Sequence, residues 1–319
     1  VPVWPGSGNR SKVHIYLPIA ETSVLIFVPL GLGALVGFFS GLFGVGGGFL
    51  ITPLLIFYNI PPAIAVGSGA NQVIASSAQG AFDHFKRRTL DIKLGLILSL
   101  AGLFGSLCGI YIFAFLRRLG QLDLIISLLY VVLLGSVGLL MALESVRAVL
   151  RAKQGRPAMA KRPGQHNFLQ KLPWKIRFRR SGLYISLVPV IGLGFIIGIL
   201  SSIMGVGGGF ILVPAMIYLL HVPTNIVVGT SLFQVSFVAC FTTIMQATAN
   251  HSVDIVLAVL LMAGGIIGVS YGNRLGRRLK AEQLRLLMAL LILLMALWLA
   301  FGLFIRPAEL VTLVTLPGG

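Results

Sequence analysis

The stretch GLGALVGFFSGLFGVGGGFLITP, residues 31–53, lies without gaps on GLGFIIGILSSIMGVGGGFILVP, residues 192–214, with 12 identities in 23 positions. The match continues through one-residue slips. Pro61 falls on Pro223, Gly67 on Gly229 and Gln72 on Gln234; then Asp91 falls on Asp254, and Gly102, Gly105 and Gly109 on Gly265, Gly268 and Gly272. Unrelated apolar segments resemble one another through Leu and Val. Here the shared positions are Gly, Pro, Gln and Asp, so the chain carries an internal duplication.

Each copy divides at the same places. Val24–Phe43 is an apolar segment, followed by a glycine-rich break and the short Phe49–Ile60; Ala63–Phe85, Leu90–Leu116 and Leu122–Leu150 are long enough to span a bilayer. The second copy reads Leu183–Met204, Phe210–Leu220, Thr224–Ala249, Val253–Leu279 and Leu284–Ile305. The division is therefore an N-terminal extension (1–20), a first repeat (21–149), a basic linker (150–182), a second repeat (183–306) and a tail (307–319). Residues 2–11 lack the basic-then-apolar pattern of a cleaved leader.

Composition names the solvent. Hydrophobic residues make up 57% of the 319 positions and charged residues only 10%, with mean hydropathy +0.97. A soluble domain carries roughly 25% charged residues. A chain this poor in charge cannot cover a water-facing surface, and lipid is the medium that suits it.

The net charge of +17 does not point to nucleic acid, because its placement is topogenic. Residues 145–182 hold eleven Lys or Arg and no Asp or Glu. Further basic residues sit between apolar segments: Lys86, Arg87, Arg88 and Lys93; Arg117 and Arg118; and five between Arg274 and Arg285. The loop after the third segment is basic in the first copy and uncharged by Lys or Arg at Asn250–Asp254 in the second. The richer side thus alternates between copies, as expected for inverted-topology repeats with an odd number of crossings each. The fold expected is an all-α polytopic membrane protein of two inverted repeats, about five hydrophobic segments each, with Gly-rich broken helices. The 150–182 linker is expected in the cytoplasm; Arg117 and Arg118 depart mildly from the charge rule.

Two constellations can carry function. The first is GVGGGF: Gly44, Val45, Gly46, Gly47, Gly48 and Phe49, repeated as Gly205, Val206, Gly207, Gly208, Gly209 and Phe210. Each helical glycine costs about 1 kcal/mol relative to Ala, so the helix breaks here. Unwound backbone at membrane depth must face protein or a watery cavity. The free N–H groups and positive helix end suit an anion. Tight helix packing is the competing reading, although packing rarely needs consecutive glycines. No GK[ST] follows, so this is no nucleotide loop.

The second constellation lies on the third segments: Ser68, Asn71, Gln72, Ser76, Ser77 and Gln79 in one copy, and Thr230, Ser231, Gln234 and Ser236 in the other. Three- and four-residue spacing sets several on one face. Such groups can coordinate an oxyanion without a buried fixed charge, or bond between helices at about 0.6 kcal/mol per pair. The paired glutamines favour the former.

Asp83, Asp91, Asp123 and Asp254 fall near span ends, as do His221 and His251. Cys108 and Cys240 lie in apolar runs and read as small core residues. No metal, cofactor or catalytic set emerges.

The doubled GVGGG(F) motif with a following Pro, the Gly/Ser/Gln helix, the basic linker, and the segments IYLPIAE (Ile15–Glu21) and GANQVIASS (Gly69–Ser77) resemble the sulfite exporter TauE/SafE family of membrane permeases. The likeness covers roughly residues 14–306. It implies a transporter of sulfite, thiosulfate or short organosulfonates in the bacterial inner membrane, with Gly44–Gly48 and Gly205–Gly209 lining the substrate cavity and Gln72 and Gln234 beside them. Lipid and a small anion are the partners implied; a homodimer stays open. An anion channel, an importer and a membrane enzyme are the alternatives, the last lacking a reactive Cys in a polar setting.

Overall fold

The computed structural model describes residues 14–19, 22–58, 60–153, 174–178, 180–220, 222–250, 252–276, 278 and 281–305. His221, His251 and most of the basic linker lie outside them. Ten α-helices carry the fold among the described residues. In the first half these are α1 (Phe27–Phe43), α2 (Gly48–Phe57), α3 (Pro62–Lys86), α4 (Ile92–Arg118) and α5 (Leu122–Lys153). The second half repeats them as α6 (Leu187–Met204), α7 (Gly209–Tyr218), α8 (Thr224–Ala249), α9 (Ile255–Gly276) and α10 (Ala281–Ile305).

The all-α expectation needs one correction. Two short antiparallel ribbons precede α1 and α6: β1 (His14–Leu17) with β2 (Thr22–Leu25), and β3 (Lys175–Phe178) with β4 (Leu183–Ser186). The helices expected from Val24 and Leu183 accordingly begin at Phe27 and Leu187. TSVL and LYIS are rich in strand-forming residues, and a short apolar run does not by itself distinguish strand from helix. The ribbons are equivalent in the duplication: His14 pairs with Leu25, and Lys175 with Ser186, 161 residues later in each case.

The two halves interlock. α1 packs on α9 and α4 on α6, so each helix pair draws one member from each half, while α3 crosses α8 and α5 packs on α10. Small residues bring the backbones together, as membrane helices require in the absence of a hydrophobic force between them. A Cβ on Gly37 would lie 2.3 Å from the Gly265 carbonyl oxygen, and one on Gly198 would lie 2.1 Å from that of Gly102.

Contacts along these helices give their directions. Gly33 meets Leu261, Gly37 meets Gly265 and Gly41 meets Val269, so α1 and α9 run parallel. Gln79 Nε2 donates to Ser270 Oγ (2.9 Å) and Asn273 Nδ2 to Asp83 Oδ2 (3.0 Å), which sets α3 parallel to α9. By contrast, Gly80 meets Leu232 and Gly229 meets His84, so α3 and α8 run antiparallel.

Among the described residues five helices are long and apolar enough to cross a membrane: Ile92–Arg118, Leu124–Glu144, Leu187–Met204, Ile226–Ala249 and Ile255–Gly276. The protein is a multi-pass membrane protein. In the α8 window 67% of residues are buried, against 28% in α5, so α8 is central and α5 peripheral. α3 has a full span's length but is rich in Gly, Ala, Ser, Asn and Gln; twelve of its 25 residues are buried and only four are exposed. Its solvent is protein. Leu96, Leu100, Phe104, Tyr111 and Phe115 on α4, and Leu290, Leu294, Leu297 and Phe301 on α10, point outward as lipid-facing stripes. Cys108 and Cys240 are also exposed on outward faces and are not core residues.

Candidate functional site

The chain leaves the helix at each glycine motif because the backbone turns left-handed. Gly44, Gly46 and Gly47 have φ of 68°, 86° and 75°; Gly205, Gly207 and Gly208 have 70°, 70° and 74°. L-residues with a Cβ rarely adopt this region. Gly44 and Gly205 close α1 and α6 by donating to the carbonyls of Ser40 and Ser201 at 2.8 Å. Gly47 then packs beside Val36 and Ser40, and α2 reaches Gly69 near the start of α3 through Ile51 and Thr52. α1 and α2 thus form a re-entrant hairpin, and α6 with α7 repeats it.

The two hairpin tips meet. A Cβ on Gly48 would sit 2.2 Å from the Val206 carbonyl oxygen; one on Gly209 would sit 2.1 Å from that of Val45. Phe49 and Phe210 face each other with ring centroids 5.9 Å apart. Gly46 and Gly207 both lie against Val73 of α3 and Val235 of α8. The pseudo-twofold axis passes between these valines, where α3 crosses α8.

The peptide N–H groups of Val45, Gly46 and Gly47, and of Val206, Gly207 and Gly208, donate to no acceptor among the described residues. Ser76 Oγ donates to Gly46 O at 2.8 Å. One turn earlier on α3, Gln72 is completely buried against Gly265, where α1 crosses α9; Gln234 is buried against Gly102, where α6 crosses α4. Both polar atoms of each glutamine lack a hydrogen-bond partner, as do the buried hydroxyls of Ser40 and Ser201. Buried polar groups are paired in the great majority of cases. The orphans of Ser40, Gln72, Ser201 and Gln234 are matched between the halves, whereas the orphan hydroxyl of Thr52 on α2 has no counterpart in α7, where Val213 stands.

The remaining sequence candidates lie elsewhere. Ser68 Oγ accepts from Asp254 N (2.9 Å), and Thr230 Oγ1 accepts from Asp91 N (3.1 Å), near the two ends of the bundle. Asn71 Nδ2 donates to the Gly67 and Ser68 carbonyls, and Ser231 Oγ to Val228 O, both within their own helices. The structure therefore holds the glycine turns and both glutamines inside the bundle, and spends Ser68 and Thr230 on the ends.

Those ends are latched by Asp91 and Asp254, which the sequence placed only near span termini. Asp91 caps α4 through Leu94 N (3.2 Å) and accepts from Ser181 N (3.1 Å) and Ser181 Oγ (2.7 Å) in the turn of the β3–β4 ribbon. Asp254 caps α9 through Val256 N and Leu257 N and accepts from Ile19 N (3.0 Å) in the turn of the β1–β2 ribbon. Each ribbon is thus tied across to a helix N-terminus of the other half. Both carboxylates are buried. Ser40 and Ser201, like Asp91 and Asp254, are repeat-matched polar residues; that match was the available signal.

The turns are sealed in this conformation. Every residue from Leu42 to Pro53 and from Ser201 to Phe210 is buried, so the mid-depth opening expected from the sequence is closed. A cavity of about 450 Å³ lies at one end of the bundle, lined by Ala114, Arg117, Arg118, Ala249 and Asn250.

Interlocked halves of parallel and antiparallel apolar helices around buried polar side chains define a multi-pass membrane protein. The profile of the family described as Sulfite exporter TauE/SafE matches residues 30–299, and the chain belongs to that family. It is a transporter family, not an enzyme family. The chain is 31% identical over 260 residues to a probable membrane transporter protein of Xylella fastidiosa strain 9a5c (81% of this chain, 87% of the relative). It is 27% identical over 294 residues to the probable membrane transporter protein YunE of Bacillus subtilis (88% and 99%). It is also similar to the Arabidopsis thaliana sulfite exporter TauE/SafE family protein 1, at 29% over 113 residues (35% and 23%). No solved structure is a significant match to the chain.

Proposed function

We propose that the chain is a secondary transporter that exports small sulfur-containing anions, sulfite or a short organosulfonate, across a bacterial inner membrane. The observation that carries this reading is the pair of buried glycine turns, whose six adjoining peptide N–H groups have no acceptor among the described residues. Bare N–H groups at helix starts favour negative charge, and no fixed carboxylate stands among them. The antiparallel crossing of α3 and α8 supports inverted repeats with their axis in the membrane plane. Lys86, Arg87, Arg88 and Arg274 lie at the Asp91 end, which is therefore read as cytoplasmic.

The sealed turns correspond to an occluded state, with the Asp91 and Asp254 latches closing the two ends. Movement of the interlocked pair α1–α9 against the pair α4–α6 would open them in alternation. An interior-negative potential drives one negative charge outward with about 2.3 kcal/mol per 100 mV. Proteoliposomes loaded with sulfite should therefore lose it faster when the interior is made negative, and the flux should saturate. Flux that ignores the potential and follows only a pH gradient would exclude potential-driven export; flux that never saturates would favour a channel.

A further inference from the structure

The orphaned groups around the turns are not all donors, and this narrows the cargo. In each half the unpartnered set comprises three peptide N–H groups, a serine hydroxyl (Ser40 or Ser201), and both the Nε2 and the Oε1 of a fully buried glutamine (Gln72 or Gln234). A glutamine oxygen only accepts. A solute that merely accepts hydrogen bonds, as a fully ionised oxyanion or a sulfonate does, would satisfy the N–H groups and leave Oε1 buried and unpaired. We infer that the transported species is a monoanionic oxyanion carrying one O–H, such as hydrogen sulfite, whose proton is donated to the Gln72 or Gln234 side-chain oxygen. This rests on the transport reading above and deepens it.

Charge argues the same way. Among the described residues no Lys, Arg or His stands near the turns to neutralise a second negative charge. α1, α2, α6, α7 and α8 carry no Asp, Glu, Lys, Arg or His among the residues whose side chains are described. On α3 the nearest are Asp83, His84 and Lys86, about 16 Å along the axis from Gln72. α4 carries Lys93, Arg117 and Arg118 with Asp91 at its cap, and α9 carries Arg274 with Asp254 at its cap, all at the bundle ends. On α5, Glu144 lies in the closing turns, and Tyr130 Oη, the nearest titratable group facing inward, already donates to Met204 O at 2.8 Å. Peptide dipoles alone stabilise a single negative charge far better than two, because the desolvation penalty grows steeply with charge. The cytoplasm and periplasm stay close to the pH at which the sulfite dianion takes up its first proton, so dianion and monoanion are both present for the protein to choose between.

The test measures binding and counterflow by purified wild-type protein in liposomes, with sulfite under anaerobic conditions well below and well above that ionisation. Methanesulfonate, which has the same three-oxygen head and no O–H at either pH, is the control. Hydrogen selenite serves as an O–H-bearing analogue. Hydrogen sulfite and hydrogen selenite should bind at least about fivefold more tightly than methanesulfonate, the ratio set by one buried acceptor left unpaired. Sulfite affinity should fall with rising pH while that of methanesulfonate holds. Gln72→Leu and Gln234→Leu, checked for monodispersity and melting temperature, should reduce the preference for the O–H-bearing anions. Equal binding of methanesulfonate and hydrogen sulfite, or sulfite affinity flat across its ionisation, overturns this inference and leaves the transport reading standing. If none of the anions binds or exchanges at any pH, both fall together.

Discussion

The two halves share a backbone plan yet hold their glycine turns differently. In the first, Ser76 donates to Gly46 O, and Ser77 Oγ reaches the Val73 carbonyl; the equivalent positions in the second are Val238 and Ala239, which offer no hydroxyl. Both turns nonetheless take the same left-handed course. The geometry therefore rests on the glycines and on reciprocal backbone contact, while the serine tether adds firmness to one side. The latches differ similarly, since Asp91 receives two bonds from Ser181 and Asp254 receives one from Ile19. The halves are equivalent in path and unequal in grip, so the two ends of the bundle need not open with equal ease.

The reciprocal backbone contact is the most fragile point of that comparison. Gly48→Ala and Gly209→Ala each drive a methyl to about 2 Å from a carbonyl oxygen of the opposite turn. Overpacking of this kind should cost about 3 kcal/mol or more, seen as loss of monodisperse protein and a lower melting temperature, to a similar degree in both variants. Tolerance of one but not the other would show that the tips are not mutually supporting.

The latches come next. Asp91→Ala should destabilise by about 2–3 kcal/mol and Asp254→Ala by about 1–2 kcal/mol: each loses its helix cap, but the first leaves two donors of the buried Ser181 unpaired, whereas the second frees one N–H on the exposed Ile19 that water can satisfy. Thermal unfolding in detergent would rank them, and the reverse order would refute the unequal grip. For the tether itself, Ser76→Ala should cost about 1 kcal/mol by leaving the Gly46 carbonyl unpaired. Val238→Ser should also destabilise, by about 1 kcal/mol, because Val238 packs on Gly102 and the lost methyl contacts outweigh one new hydrogen bond.

The smallest perturbation reads orientation. In a background with Cys108 and Cys240 replaced by Ala, Gln121→Cys and Lys86→Cys sit at exposed positions on opposite ends, and each should change stability by less than about 0.5 kcal/mol. A membrane-impermeant thiol reagent should label the first from outside and the second only after permeabilisation. Labelling of both from one side would show that α4 does not cross the membrane.

Much of this was legible in the residues. The duplication, the breaks at Gly44–Gly48 and Gly205–Gly209, and the long spans all follow from glycine and hydropathy patterns that act locally. The ribbons were not legible, because Val24–Leu25 and Leu183–Ser186 are too short for periodicity to separate strand from helix. Nor were the latches: Asp91 and Asp254 matched in the alignment, but nothing in one dimension tells an exposed span-end carboxylate from one buried against Ser181 or Ile19. Ser68 and Thr230 were grouped with the glutamines because helical spacing sets residues on a face without saying what that face meets.

By itself the sequence determined that lipid is the solvent, that one unit occurs twice, and where its helices must break, because charge scarcity and consecutive glycines constrain any chain that bears them. Only the tertiary structure decided that α1 packs on α9 and α4 on α6, that the two glycine tips touch, and that two glutamines end with no partner. Those outcomes depend on which surfaces meet between segments far apart in the chain, and local residue preferences do not encode that meeting.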